Sequence, residues 1–215
     1  MKAQFFPYKD ENPSRSFPIV MILLIIVNFV IFAWSLTDFD NIISTYGFTP
    51  IYFSFFTILT SMFLHGGIGH IAGNMWYLWL FGDNVEDRFG KIKFLIFYIC
   101  AGFFAAFVHY ISDPFSEIPA IGASGAISGV LGAYMAIFPS VRVKTIGPFY
   151  QIFEIPAWAL IGFWFVLQLF SGIFTIIGGL GGGGIAFWAH IGGFIFGWMT
   201  GKIYNKRLWE FLLTK

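Results

Sequence analysis

The stretch GASGAISGVLGAYMAIFP, Gly122 to Pro139, is an apolar run that opens on Ser124 and repeats small residues at Gly125, Gly129 and Ala133. A second run, Ile185 to Tyr204, carries Ala189-His190-Ile191-Gly192-Gly193 near its start and a matching ridge of Gly193, Gly197 and Gly201. Lipid gives apolar helices no hydrophobic reason to pair, so membrane helices associate through such small-residue ridges. The two runs are therefore predicted to pack on each other. An imidazole at membrane depth is costly unless paired, which makes polar residues there functional suspects. A candidate nucleophile and a candidate base on two packed segments point to hydrolysis inside a membrane.

Composition agrees with a membrane setting. Hydrophobic residues make up 58% of the 215-residue chain and charged residues 11%, against roughly 25% charged in a soluble domain. Thirty Phe and a mean hydropathy of +0.78 leave too little polar surface to cover a soluble globule. The net charge of +1 suggests neither a nucleic acid nor an acidic partner. The single Cys100 lies in an apolar run, excludes an intramolecular disulfide and reads as a small packing residue. The first apolar stretch, Phe17 to Leu36, is too long for a signal h-region and reads as a first span.

Six spans are predicted: Pro18–Leu36, Ile68–Gly82, Phe94–Ser112, Ser124–Pro139, Ile155–Ile177 and Ile185–Tyr204. The second and fourth are short for a hydrocarbon core that needs ~20 residues. Short tails, 1–17 and 205–215, flank the membrane domain 18–204. Ile51–Leu64 is apolar but broken by Ser54, Thr57, Thr60 and Ser61, which suits a re-entrant or interfacial element. Charge supports that reading. With six crossings all twelve Lys and Arg fall on one side, and the opposite loops carry Asp38, Asp40, Asp113 and Glu117. The positive-inside rule then puts both termini in the cytoplasm of a multi-pass cell-membrane protein.

In this topology spans two, four and six run parallel, from outside to inside. Ser124 opens the fourth, and His190 lies about five residues, or ~8 Å, into the sixth. On the second span His70 and Asn74 are spaced i, i+4 and share one face near the same end. Four polar side chains are thus predicted at one shallow level.

The chain resembles the rhomboid family of intramembrane serine proteases. The resemblance rests on His65-Gly66-Gly67-Ile68-Gly69-His70, Asn74-Met75, Gly82-Asp83-Asn84-Val85-Glu86-Asp87, Gly122-Ala123-Ser124-Gly125 and Ala189-His190-Ile191-Gly192-Gly193. These occur in the family's order between about Phe17 and Tyr204. It implies an all-α, six-transmembrane-helix bundle with a partly re-entrant first outer loop. It also implies Ser124 as nucleophile and His190 as general base, with His70, Asn74 and the Ser124 N–H as an oxyanion hole. The substrates would be transmembrane proteins met within the lipid bilayer, and no cofactor or metal is called for. A mobile cap over the dyad is implied at Gly178–Gly184, six of whose seven residues are glycine, with the fifth helix as a lateral gate.

The chemistry is consistent with those roles. A serine hydroxyl becomes a useful nucleophile when an imidazole accepts its proton. Asn74 and His70 can donate to an oxyanion, and Ser124 at a helix N-terminus adds a favourable dipole. No span contains an acid to orient His190, so the imidazole is expected to be held by packing, a hydroxyl or a main-chain group. Some family members place an aromatic residue four positions after the nucleophile, beneath the histidine, where this chain has Ser128. Many carry a Trp-Arg pair in the first outer loop, where this chain has Phe56-Thr57.

Rival chemistries lack their residues. No HExxH is present, no span contains an Asp, and position 126 is Ala where a soluble nucleophile elbow needs Gly. A transporter would show charged or ion-binding residues at the midplane. A catalytically idle relative would usually lack Ser124 or His190. Among the remaining polar residues, His65 is expected to satisfy local backbone groups, His109 to be structural, and Gln168 to bond a neighbouring helix. Asp83, Glu86, Asp87 and Arg88 are expected to tie a helix end to a loop far from the dyad.

Overall fold

The computed structural model describes residues 6–178 and 186–213. Among them are eight α-helices: α1 (Ile19–Ser35), α2 (Phe39–Tyr46), α3 (Phe55–Ser61), α4 (Ile68–Phe89), α5 (Lys91–Ser112), α6 (Ser124–Ile137), α7 (Ala157–Gly178) and α8 (Phe187–Leu213). The six long ones coincide in order with the six predicted spans. By length and composition α5 and α7 could each cross a bilayer, while α1 and α6 are shorter apolar helices. Residues 51–64 do not form one continuous helix. They hold part of a 3-10 turn, Pro50–Tyr52, and the seven-residue α3, which at 1.5 Å per residue spans only ~10 Å.

Helix α6 is the axis of the bundle. Its 14 residues span ~21 Å, and every side chain from Gly125 to Ile137 except Met135 is buried. The neighbours packed on it are α4, α5, α7 and α8, with α8 the most extensive. The predicted ridges meet in register. A methyl group at Gly193 would overlap the Gly125 carbonyl, one at Gly197 the Gly129 carbonyl, and one at Gly201 would crowd Ala133 and Ala136. Both chains advance in the same direction along this seam, so α6 and α8 are parallel.

Two helices extend well past their predicted C-terminal ends. Helix α4 continues from Gly82 to Phe89 and stops where Gly90 adopts φ +80°, its N–H donating to the Glu86 carbonyl at 2.8 Å. Helix α8 continues to Leu213. Hydropathy marks where the apolar surface ends, whereas a helix can go on where its polar residues find partners. In the extension of α4, Glu86 and Asp87 do. The Glu86 carboxylate accepts from the N–H groups of Val20 (3.2 Å) and Met21 (2.7 Å), donors left over at the start of α1. Arg88 lies over the Phe138 ring and Asp87 accepts from Ser16, so this cluster ties helix ends to a loop as expected.

The end of α6 remote from Ser124 carries a three-stranded antiparallel sheet, which an all-α reading did not include. Its order is β1 (Phe6–Asp10), β2 (Arg142–Ile146) and β3 (Ile152–Pro156). Each strand has five residues, too few to register against the hydropathy of the helices beside it. The alternation is nonetheless present in β2, where Val143 and Thr145 point inward and are fully buried. Strand β1 lies in the segment expected to be a tail. The Trp76 indole donates to the Pro7 carbonyl at 2.8 Å, and Asp10 accepts from the Tyr134 hydroxyl (2.6 Å) and the Asn84 amide (3.1 Å). Burial, reinforced by the charge of Asp83, pushes the Asp10 carboxyl up to about 6.

The backbone seam between α6 and α8 separates two kinds of glycine. Gly197→Ala should lower the thermal midpoint in detergent, by the roughly 1–3 kcal/mol typical of overpacking. Gly162→Ala, where an added methyl meets nothing within 4 Å, should be neutral or slightly stabilising. Equal midpoints for the two variants would refute the close-approach account of the seam.

Candidate active site

Ser124 is the first residue of α6 and His190 the fourth of α8. The parallel seam brings these two helix starts together, and the Ser124 Oγ lies 2.8 Å from His190 Nε2. On the other side of the ring, His190 Nδ1 lies 3.0 Å from the Gln168 side-chain carbonyl oxygen. That oxygen can only accept, so the hydrogen-bond pattern assigns the proton to Nδ1. Nε2 then presents its lone pair to the Ser124 hydroxyl. This is the tautomer a general base needs.

Asn74 and His70 stand on α4, across a cavity of about 570 Å³ that Ser124 and His190 also line. The Asn74 amide nitrogen is buried without a hydrogen-bond acceptor. His70 Nδ1 accepts the Gly66 N–H at 3.2 Å, which assigns its ring proton to Nε2. Gly122, at φ +126°, leaves the path between these groups open. A β-carbon there would sit 2.9 Å from His70 Nε2 and 3.6 Å from Ser124 Oγ. The Gly122 N–H is held by the Ser61 carbonyl at 2.9 Å, so α3 braces the turn that presents Ser124. The N–H of Ser124 belongs to the first turn of α6, where amides lack intrahelical partners. His70, Asn74, Ser124 and His190 therefore line one cavity.

The remaining residues sort by position. His65, in the loop before α4, is fully buried and packs edge-on against His70 with ring centroids 5.2 Å apart. Burial, with the neighbouring His70 adding to it, pushes its imidazole down to about 4, so it stays neutral. Its ring nitrogens are buried without a hydrogen bond of good geometry, and the Phe63 backbone is the polar group that bears on the ring. His65 supports His70 by shape. His109 lines the cavity wall from α5. In the first outer loop Thr57 donates to the Ser54 carbonyl at 3.1 Å, and the Phe56 ring lies beside Tyr46.

The orientation of His190 is where the structure departs from expectation. Ser128 turns back along its own helix and donates to the Ser124 carbonyl at 2.6 Å, so it contributes nothing beneath the imidazole. The hold is a side-chain amide, Gln168, accompanied by the Trp164 ring at a centroid distance of 6.0 Å and 34° from the His190 plane. Gln168 does bond a neighbouring helix, as expected of a mid-span amide, and its partner is His190. The signal was present in the sequence: one amide in a helix without a charged residue, with an aromatic residue one turn before it. The glycine-rich join Gly178–Gly184, expected to cap this site, lies outside the described residues apart from Gly178 at the end of α7.

A Rhomboid domain is matched over residues 52–207. Among curated proteins, the chain is 40% identical over 93 residues to the rhomboid protease GluP of Bacillus subtilis, covering 42% of this chain and 18% of that protein. It is 35% identical over 91 residues to the bovine mitochondrial presenilin-associated rhomboid-like protein, covering 41% and 24%. It is 28% identical over 160 residues to the mitochondrial rhomboid protein 1 of Saccharomyces cerevisiae, covering 70% and 43%. The chain thus spans less than half the length of each of these relatives. With most of its length inside the family domain, the chain belongs to the rhomboid family.

Proposed function

We propose that this chain is an intramembrane serine endopeptidase that cleaves transmembrane segments of other membrane proteins near their outer ends. The observation that carries the reading is the 2.8 Å contact between Ser124 Oγ and His190 Nε2, facing the unpaired Asn74 amide. Ser124 Oγ attacks the scissile carbonyl carbon while its proton passes to His190 Nε2. The oxyanion is met by the Asn74 amide, the His70 Nε2–H and the Ser124 N–H. The imidazolium then protonates the leaving amine, and water drawn from the outer end of the cavity hydrolyses the acyl-enzyme. The similarity to a protein named as a rhomboid protease supports this reading, and the presence of both Ser124 and His190 argues against an idle relative.

If the two residues act as a unit, Ser124→Ala and His190→Ala should each remove nearly all cleavage of a tagged single-span substrate, with the double variant little worse. A fluorophosphonate probe should label the parent and neither variant. Substantial cleavage by a folded Ser124→Ala protein would overturn the mechanism.

Asn74→Ala should lower kcat by roughly 10²–10³ with little change in KM, because its donation strengthens only as charge develops on the substrate oxygen. His70→Ala should cost the same or less, since two donors remain. An unchanged kcat in Asn74→Ala would remove that residue from the site.

We further propose six spans with both termini cytoplasmic and the site opening outward in the cell membrane. The support is the one-sided distribution of Lys and Arg over the ends of the six long helices. In a Cys100→Ala background, cysteines at positions 40 and 117 should react with an impermeant thiol reagent applied to intact cells. Cysteines at positions 91 and 144 should react only after the membrane is opened, and the reverse pattern would refute this orientation.

A further inference from the structure

We infer that Gln168 is the positioning residue of the hydrolytic dyad, holding His190 from α7. The inference rests on the dyad reading and extends it to a residue on a third helix. A Ser–His pair works only if the imidazole keeps one tautomer and one orientation, a task that a buried carboxylate performs in acid-containing triads. Among the described residues no acid approaches His190, and Ser128 is engaged with its own helix. The Gln168 carbonyl oxygen, 3.0 Å from Nδ1, is the group that accepts the ring proton.

The rest of α7 is arranged for that contact. Trp164, Gln168 and Gly172 follow one another at intervals of four and so form one stripe along the helix. Trp164 packs beside the His190 ring, and Gly172 faces Trp188 and Ile191, which a β-carbon there would meet at 3.3 and 3.5 Å. The stripe therefore fits the start of α8. The opposite face, with Val166, Leu167 and Phe170, is exposed. An amide in such a helix is costly unless paired, and its partner here is the imidazole. A neutral amide also suits the site better than an acid, because it accepts the Nδ1 proton without burying a charge.

The test compares Gln168→Met, Gln168→Leu and Gln168→Glu in the full chain. The readouts are kcat and KM on a transmembrane substrate, fluorophosphonate labelling of Ser124, and the thermal midpoint. Met and Leu fill similar space and lack the acceptor, so each should lower kcat roughly 10- to 100-fold, with KM within about twofold and labelling slowed in step. Two apolar variants guard against one failing to fold. Gln168→Glu keeps an acceptor oxygen and should retain more of the rate than either. A residue that only packs would give the opposite order, because a buried carboxylate harms an apolar interface more than Met does. Parent kcat in Gln168→Met, or Gln168→Glu falling below it, overturns the inference. Parent-level labelling of His190→Ala would instead remove the dyad itself, and with it the reason for a positioning residue.

Discussion

The contact on which the rest of the structure depends is the backbone approach of α6 to α8. Gly193 and Gly197 lie directly against the carbonyls of Gly125 and Gly129, with no room for a methyl group. In lipid this closeness supplies much of what holds the helices together, because dispersion and carbonyl contacts replace the hydrophobic drive available in water. It also sets the chemistry. Ser124 and His190 stand at the starts of the same two helices, and their 2.8 Å contact is possible only because the axes converge to that distance. A larger side chain in the seam acts on both stability and the dyad.

The two ends of the bundle handle polar groups differently. At the end remote from Ser124 several polar side chains find partners: Glu86 the first amides of α1, Asp10 the Tyr134 hydroxyl and the Asn84 amide, Trp76 the Pro7 carbonyl. Those bonds close α1, α4, α6 and the sheet into one assembly. At the Ser124 end the Asn74 amide nitrogen lacks an acceptor, and the His70 Nε2–H faces the cavity. A buried donor without an acceptor, as at Asn74, costs stability. Its place in the cavity that Ser124 lines fits the idea that it stabilises charge developing during a reaction.

The means of holding His190 differs from the aromatic support, four residues after the nucleophile, that the family resemblance suggested. Both the amide and the aromatic neighbour come instead from α7, whose opposite face is exposed. One element thus joins an exposed outer face, with Val166, Leu167 and Phe170, to an inner stripe that fits the start of α8 and holds the His190 ring. Geometry at the dyad is therefore sensitive to the seating of α7 in a way that α6 and α8, locked by their glycines, do not share.

Much of this could be read from the order of residues alone. Long apolar runs, the glycine spacing in two of them, and the histidine, asparagine and serine motifs at the ends of others specify which helices form and which pack. These are local or periodic properties, and physics translates them directly: 3.6 residues per turn puts Gly193 and Gly197, or His70 and Asn74, on one face. Three features came only with the tertiary structure. The helix ends beyond the apolar runs depend on partners such as Val20 for Glu86, 66 positions away in the chain. The sheet depends on pairing β1 with β2 across most of the sequence, a contact that five-residue strands do not announce. The partner of Gln168 depends on how α7 rotates against α8, because an amide in an apolar helix declares that it must bond something, and only packing decides what.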